Sequence, residues 1–125
     1  MATVYLETTI VGHVAGRLLP DPFVAVRQQV TRDWWHNHAP DFSVYISQLV
    51  LDECSAGDST AAEERLAVVA GIDLLESSEE VDSLANRLIV GMAIPASEPR
   101  DAFHIAISAV NGVEYLLTWN CKHGD

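Results

Sequence analysis

Short apolar, β-branched runs alternate with longer amphipathic segments along this chain. The runs TVYL at positions 3–6 and FSVYI at 42–46 have the length and composition of strands, as do the runs at 72–75 and 115–118. Each of the first three is followed by one or two helical patterns. This alternation predicts an α/β domain built on a central parallel sheet, with helices on both faces.

Helix start and stop signals fall between the predicted strands. Asp21-Pro22 combines an N-cap residue with proline at the first helical position, which predicts a helix to about His38. Ser77 with Glu80 matches a capping box for a helix that Pro95 ends. The other helices are predicted at 8–16, 47–57, 58–71 and 98–112, each ending near a glycine.

Length and composition narrow the classes of protein. A chain of 125 residues predicts one domain, and 49% hydrophobic residues suffice for a core without disulfides or structural metal. No apolar run approaches the roughly 20 residues that span a bilayer. The first residues form a strand pattern without a basic segment, so a signal peptide is not expected. Cys54 and Cys121 form no CxxC pair and suggest a reducing cytoplasm, with a disulfide between them as the alternative.

The charge balance is strongly acidic, with 7 Lys and Arg against 18 Asp and Glu and a formal net charge of -11. Taken alone, this disfavours a nucleic-acid binder, because phosphate contacts need a basic surface. It suits a concentration of carboxylates around a metal ion, or a surface that meets a basic partner. A further interpretation is that the charge only maintains solubility.

Polar side chains fall where an open α/β sheet places its ligand site. Glu7 follows the first strand, Glu53 lies in the helix after the second, and Asp101 lies in the first turn of the last helix. Thr118 ends the last strand, and Asn120 follows. The carboxyl ends of parallel strands and the N-termini of the following helices share one edge of the sheet. The sequence therefore predicts that these five side chains come together.

Such a group of oxygen ligands suits Mg²⁺ or Mn²⁺. A bound divalent ion acidifies a water and stabilises a leaving oxygen, as phosphodiester hydrolysis requires. Each residue taken singly also fits a structural role. Asp101 complements a helix dipole, Asn120 suits a turn, Glu7 suits the start of the helix after the first strand, and Glu53 suits a solvated helix surface.

Two further features have both a functional and a structural interpretation. His104 follows Asp101 by three residues and shares its helix face, as a metal ligand would, but packing or hydrogen bonding near the site is preferred because an Mg²⁺ site needs no imidazole. Phe23, Val26 and Val30, continued by Trp34, are spaced along one helix face. A packed face, or a contact with a dimer partner or another protein, is preferred there over a base-stacking platform.

Four segments together resemble a PIN domain, and are most similar to the VapC-like toxins of bacterial toxin–antitoxin pairs. They are VYLETTI, ISQLVLDECSAGD, EPRDAFHIAISA and YLLTWNCKH, and they cover nearly the whole chain. The resemblance implies a three-layer α/β/α fold, Mg²⁺- or Mn²⁺-dependent endoribonuclease activity, a homodimer and inhibition by a small antitoxin. It matches Glu7, Glu53, Asp101 and Asn120 to the family's acidic positions, and Thr118 to the threonine before the last of them.

The chain also departs from the family pattern. Glu7 stands where most members have Asp, Asn120 replaces an acid, and the helix and strand with which members usually continue are expected to be absent from residues 1–125. These differences support an alternative function, a catalytically degenerate PIN-like domain kept as a protein-binding module. A phosphatase or DNA nuclease that uses the same acids is a third hypothesis.

Overall fold

A four-stranded parallel sheet organises the chain in the computed structural model, which describes residues 1–120. The strands are β1 (Thr3–Leu6), β2 (Ser43–Ile46), β3 (Asp73–Leu74) and β4 (Tyr115–Leu117). Their order across the sheet is β3-β2-β1-β4, and all three strand pairs are parallel. Val4 of β1 pairs with Val44 on one side and Tyr115 on the other. The predicted parallel sheet is confirmed.

Helices fill the connections between the strands. They are α1 (Thr8–Val14), α2 (Pro22–Asn37), α3 (Gln48–Cys54), α4 (Ser59–Val69), α5 (Glu79–Val90) and α6 (Pro99–Val110), with a short 3₁₀ helix at Ala39–Asp41. Within residues 1–120, no helix is long and apolar enough to cross a membrane.

Two helical layers enclose the sheet. Helix α1 packs against α2, α3 and α4, whereas α5 packs against α6. The chain moves in one direction from β1 to β3 and then returns past β1 to reach β4. Because parallel crossovers are right-handed, this reversal places α5 and α6 on the opposite face from the earlier helices. The predicted α/β class is therefore confirmed, in a three-layer α/β/α arrangement.

The buried core lies between these layers. Val4, Tyr5 and Leu6 make β1 almost wholly inaccessible to solvent, as expected for a central strand covered on both faces. Ile46 of β2 and Ile107 of α6 complete the centre of the core. The site residue that follows β1, Glu7, is thus attached to the most buried strand of the sheet.

Three predictions about helices need correction. Ser78, not Ser77, caps α5, because its Oγ accepts a hydrogen bond from the Val81 N–H at 3.3 Å. Position N3 then holds Val81, which has no acceptor, so no capping box forms. The helix also ends at Val90, several residues before Pro95, because Met92 adopts a left-handed φ of 63°.

The third correction concerns the apolar row on α2. Phe23, Val26 and Val30 are 80%, 58% and 55% exposed, so a face packed within this chain is wrong for these three, and a contact with another chain stays a prediction. Trp34, at the end of the row, does pack, with its ring 5.9 Å from that of Phe42. The row is therefore an exposed apolar stripe anchored at one end.

A candidate acidic site at the edge of the sheet

The site lies at the point where the strand order reverses, between β1 and β4. Glu7 directly follows β1, and its N–H donates a hydrogen bond to the Leu117 carbonyl at 3.1 Å. Thr118 directly follows β4. The carboxyl edge at such a switch point opens into a crevice, because the connections leave the two strands in opposite directions. Both residues are therefore held where α/β proteins usually bind ligands.

The carboxylate of Glu7 is fixed by two threonines. Its Oε1 accepts hydrogen bonds from the Thr9 N–H at 3.1 Å, from the Thr9 hydroxyl, and from the Thr118 hydroxyl at 2.7 Å. Glu7 is at the same time the N-cap of α1, so the bond from Thr9 N satisfies an otherwise unpaired donor of that helix. These contacts set one orientation for a side chain that is only 7% exposed.

Asp101 and Asn120 form the opposite part of the site. Pro99 begins α6, which places Asp101 in the first turn, as predicted. The Asn120 side chain donates from Nδ2 to Asp101 Oδ2 at 2.9 Å, and the Asn120 N–H donates to Thr118 Oγ1 at 2.9 Å. An ionised acid at position 120 has no proton for such a bond. The amide thus links the two sides of the site by attraction instead of repulsion.

These side chains surround a pocket of about 50 Å³. It is lined by Glu7, Asp101, His104, Ile105, Leu116, Thr118 and Asn120. The structure thus brings together four of the five predicted site residues. The fifth, Glu53, does not line this pocket.

Glu53 instead has three contacts of its own. Its Oε1 accepts from the Thr8 hydroxyl at 2.6 Å and is 2.8 Å from His104 Nε2, while Oε2 lies 3.7 Å from the exposed guanidinium of Arg100. Burial acts to raise the pKa of Glu53. Hydrogen bonds from His104 and Thr8, with the nearby positive charge, outweigh it, so the pKa is lower than that of an ordinary glutamate.

A buried polar chain extends from Glu53 into the core. His104 is 2% exposed, and its Nδ1 lies 2.6 Å from the Tyr5 hydroxyl, which lies 2.7 Å from Ser47 Oγ. Burial raises the pKa of Tyr5 well above its ordinary value. The hydrogen bond with Ser47 lowers this pKa by a smaller amount, and the negative charges of Glu53 and Glu7 raise it further. The preferred interpretation of His104, as a residue that packs and hydrogen-bonds near the site, agrees with this geometry.

Sequence patterns did not reveal the roles of Tyr5 and Ser47. Tyr5 lies in an apolar strand, where only its ring contributes to the hydrophobic pattern. Ser47, the first residue of the helix predicted at 47–57, is the N-cap of α3, and its Oγ accepts from the Val50 N–H at 3.4 Å. The signal available in the sequence was a tyrosine in a buried strand, because a buried hydroxyl needs a hydrogen-bond partner.

Within residues 1–120, no group of three or more His, Cys, Asp or Glu side chains is arranged to hold a metal ion. Any cation in the pocket would therefore depend on two carboxylates and on neutral oxygen atoms. A larger cleft of about 520 Å³ lies between α1, α2 and α4. Its Arg65 donates to the carbonyls of Cys54 and Ala56, and its buried Gln28 also pairs with backbone. These groups support the loops. Of the two acids that line the cleft, Asp58 and Glu64, the first caps α4 by accepting from the Ala61 N–H at 3.0 Å.

Fold and site together define an α/β protein with a small acidic pocket at the switch point of a parallel sheet. Comparisons with protein-family models, with curated proteins and with solved structures find no match to this chain. The functional argument therefore starts from the pocket.

Proposed function

We propose that this protein is a Mg²⁺- or Mn²⁺-dependent endoribonuclease, and that the pocket between β1 and β4 is its active site. The observation that carries the proposal is the convergence of Glu7, Asp101, Asn120 and Thr118 from three remote parts of the chain. The PIN-domain resemblance of the segments that contain these residues supports the same reaction and indicates RNA as the substrate.

The donor set of the pocket fits a hard divalent cation. Glu7 and Asp101 supply carboxylates, and Asn120 supplies an amide whose nitrogen is already engaged with Asp101. Mg²⁺ usually binds one or two carboxylates and keeps several waters, so two acids suffice. A pocket of about 50 Å³ has room for an ion and little else, which leaves RNA to approach from outside. These three residues are the proposed ligands, and Glu53 is the predicted ligand that the pocket does not include.

The protein's own residues prepare this site in separate ways. Thr9 and Thr118 hold Glu7 in one orientation before any ligand arrives, and Asn120 does the same for Asp101. A divalent ion bound there supplies an acidified water and a positive charge beside the phosphate. Because these side chains are already oriented, the reaction does not have to order them, and this lowers the activation barrier. The expected products carry 3′-OH and 5′-phosphate ends.

RNA binding must overcome the formal charge of -11. Arg100 precedes Asp101 in the first turn of α6, and its guanidinium is 71% exposed. It is therefore available to attract a phosphate beside the pocket. A cation in the pocket would partly neutralise the neighbouring acids and so reduce their repulsion of that phosphate. The proposed RNA substrate and the buried thiol of Cys54 support a cytoplasmic location as part of this proposal.

The decisive test is Asp101→Asn. We expect this variant to lose RNA cleavage and to keep its fold, because the amide fills the same volume without the charge. Asp82→Asn is the matched control, since Asp82 lies in the first turn of α5 and is exposed. Cleavage of single-stranded RNA and DNA should be measured with circular dichroism melts. Unchanged RNA cleavage by Asp101→Asn would refute the assignment, and preference for DNA would favour a DNA nuclease.

Metal binding can be tested without any substrate. Mn²⁺ should raise the melting temperature of the wild-type protein in a saturable manner, because a ligand of the folded state stabilises it by mass action. The shift should be absent in Asp101→Asn and present in Asp82→Asn. A wild-type protein that Mn²⁺ does not stabilise would favour the degenerate binding module.

A partner protein is the second part of the proposal. Phe23, Val26 and Val30 expose an apolar stripe on α2, as a surface that contacts another chain would. The resemblance suggests a homodimer and a small antitoxin with a basic segment as the partners, and the acidic charge suits the latter. Sedimentation of wild-type protein and of Val26→Lys tests the dimer. A monomer in both would remove dimerisation from the proposal.

A further inference from the structure

The hydrogen-bonded chain from Ser47 to Glu53 has a direction, which fixes where the proton of His104 lies. Ser47 Oγ accepts the Val50 N–H, so its own proton is available to the Tyr5 oxygen. The Tyr5 hydroxyl can then donate to His104 Nδ1, which must be unprotonated. Nε2 therefore carries the proton and donates to Glu53 Oε1 at 2.8 Å. In this arrangement each of the four hydrogen-bonded side chains, from Ser47 to Glu53, has a partner.

The other proton arrangements leave a group without a partner. A neutral ring protonated on Nδ1 would turn the lone pair of Nε2 toward the Glu53 carboxylate, so two acceptors would face each other. A doubly protonated ring would reverse the Tyr5–Ser47 bond, and the Ser47 proton would have no acceptor among the described residues. The neutral Nε2–H form is the one that satisfies all of them.

Glu53 connects the two chain segments that carry the pocket carboxylates. Thr8, which donates to Glu53, is the neighbour of Glu7, and His104, which also donates to it, lies one turn after Asp101 on α6. Both donors reach the same oxygen, Oε1. Glu53 Oε1 therefore ties α6 to the segment that follows β1, in addition to the direct bond between Tyr5 of β1 and His104 of α6.

We propose that His104 is a positioning residue for the cleavage reaction, which holds Asp101 opposite Glu7 by donating its Nε2–H to Glu53. Tyr5 and Ser47 set the tautomer that makes this donation possible. In this role, Glu53 is the centre of a bridge between α1 and α6, and it does not have to bind the cation. The inference rests on the proposed function, because the pocket acids are what the bridge positions.

The tautomer is directly measurable. In the full chain labelled with ¹⁵N, the His104 ring should show the nitrogen shifts and couplings of a neutral imidazole with its proton on Nε2 at neutral pH. A ring protonated on Nδ1, or on both nitrogens, would overturn the proposal. This measurement does not depend on catalysis.

Two amide variants separate the two nitrogens of the ring. His104→Gln can place its own amide nitrogen, Nε2, near the position of the imidazole Nε2 and keep the contact with Glu53, whereas His104→Asn is shorter and can keep only the contact with Tyr5. We expect kcat to fall by about 10- to 100-fold in His104→Asn, as for other residues that orient ligands, with KM little changed. His104→Gln should retain most of kcat. Equal kcat in the two variants, per folded molecule, would overturn the proposal, because a merely structural role affects their stability and not this ratio.

The outcome remains interpretable if the proposed function fails. Should wild-type protein cleave no RNA, Mn²⁺ stabilisation of the same two variants decides: His104→Asn should weaken it and His104→Gln should preserve it. Equal stabilisation of both, or none in wild type, would overturn the inference.

Discussion

Glu7 and Glu53 have the same side chain, and each accepts a hydrogen bond from a threonine hydroxyl, yet they belong to different kinds of site. Within residues 1–120, the hydrogen bonds to the Glu7 carboxylate all end on Oε1, and the side chain lines a pocket. The Glu53 carboxylate has contacts on both oxygens and lines no part of that pocket. Both acids are held by the protein, but only Glu7 faces the pocket that we propose to bind a cation.

The difference follows from the topology. Glu7 directly follows a strand beside the reversal of the sheet order, where connections diverge and leave space. Glu53 lies at the last turn of α3, where residues of α1 and α6 reach it and occupy its oxygens. An acid near a sheet edge is thus no guide to ligand binding until its hydrogen-bond partners are known.

Replacing each glutamate by glutamine should give the largest effects and the sharpest contrast. Glu7→Gln removes a proposed ligand. Loss of a residue that only hydrogen-bonds to a ligand costs at most about 100-fold, so we expect the rate of RNA cleavage by Glu7→Gln to fall by more than that. Glu53→Gln removes a bridge and should cost about 10- to 100-fold. Initial rates measured at saturating Mn²⁺ provide the comparison. Equal losses in the two variants would mean that Glu53 is also a ligand.

Removal of the buried Tyr5 hydroxyl should lower the free energy of unfolding more than substitution of an exposed side chain does. Tyr5→Phe leaves His104 Nδ1 and Ser47 without their shared partner in the core, at a cost of about 1–3 kcal/mol. Tyr45→Phe is the matched control on the neighbouring strand β2, where the side chain is less buried. Urea unfolding gives both values. A free energy of unfolding that changes equally in the two variants would argue against the buried chain of hydrogen bonds.

Glu53 should also contribute to the pH dependence of stability. Because its pKa is lower in the folded than in the unfolded protein, its contribution is present above the ordinary glutamate pKa and is lost as pH falls through the folded-state value. Glu53→Gln should therefore flatten the acid limb of a plot of unfolding free energy against pH. Unchanged slopes would show that the bonds from His104 and Thr8 do not favour the charged form.

The smallest effect is expected from Arg100→Gln. The guanidinium lies 3.7 Å from Glu53 and is 71% exposed, so water and salt screen the pair and its loss should cost less than about 1 kcal/mol. The melting temperatures of wild type and Arg100→Gln should differ slightly at low salt and converge at high salt. A larger loss would mean that Arg100, and not His104, fixes Glu53. Weaker RNA binding by this variant with unchanged stability would support its proposed contact with phosphate.

The sequence predicted the fold and the pocket better than the bridge. Apolar runs of strand length and their helical connections were sufficient for the parallel sheet, and the strand ends located Glu7, Asp101, Thr118 and Asn120. The bridge could not be predicted, since it depends on a hydroxyl in an apolar strand that meets a histidine 99 residues later. Contacts of this range have no signature in local spacing.

Two errors show the limits of local patterns in a different way. Ser77 and Ser78 offer the same capping chemistry, so local sequence does not distinguish them, and the structure has Ser78 as the cap. The spacing of Phe23, Val26 and Val30 correctly indicates one helix face, but spacing does not tell whether another part of the chain covers that face.

The pairing of β1 with β4 has a consequence for biosynthesis. Glu7 and Thr118 are 111 residues apart in sequence, although their side chains share a hydrogen bond. A ribosome-bound nascent chain that already exposes Glu7 therefore cannot form the pocket until the residues of β4 and Asn120 have emerged and docked. If the pocket cleaves RNA, a nascent chain gains that activity only after these late residues have joined the fold.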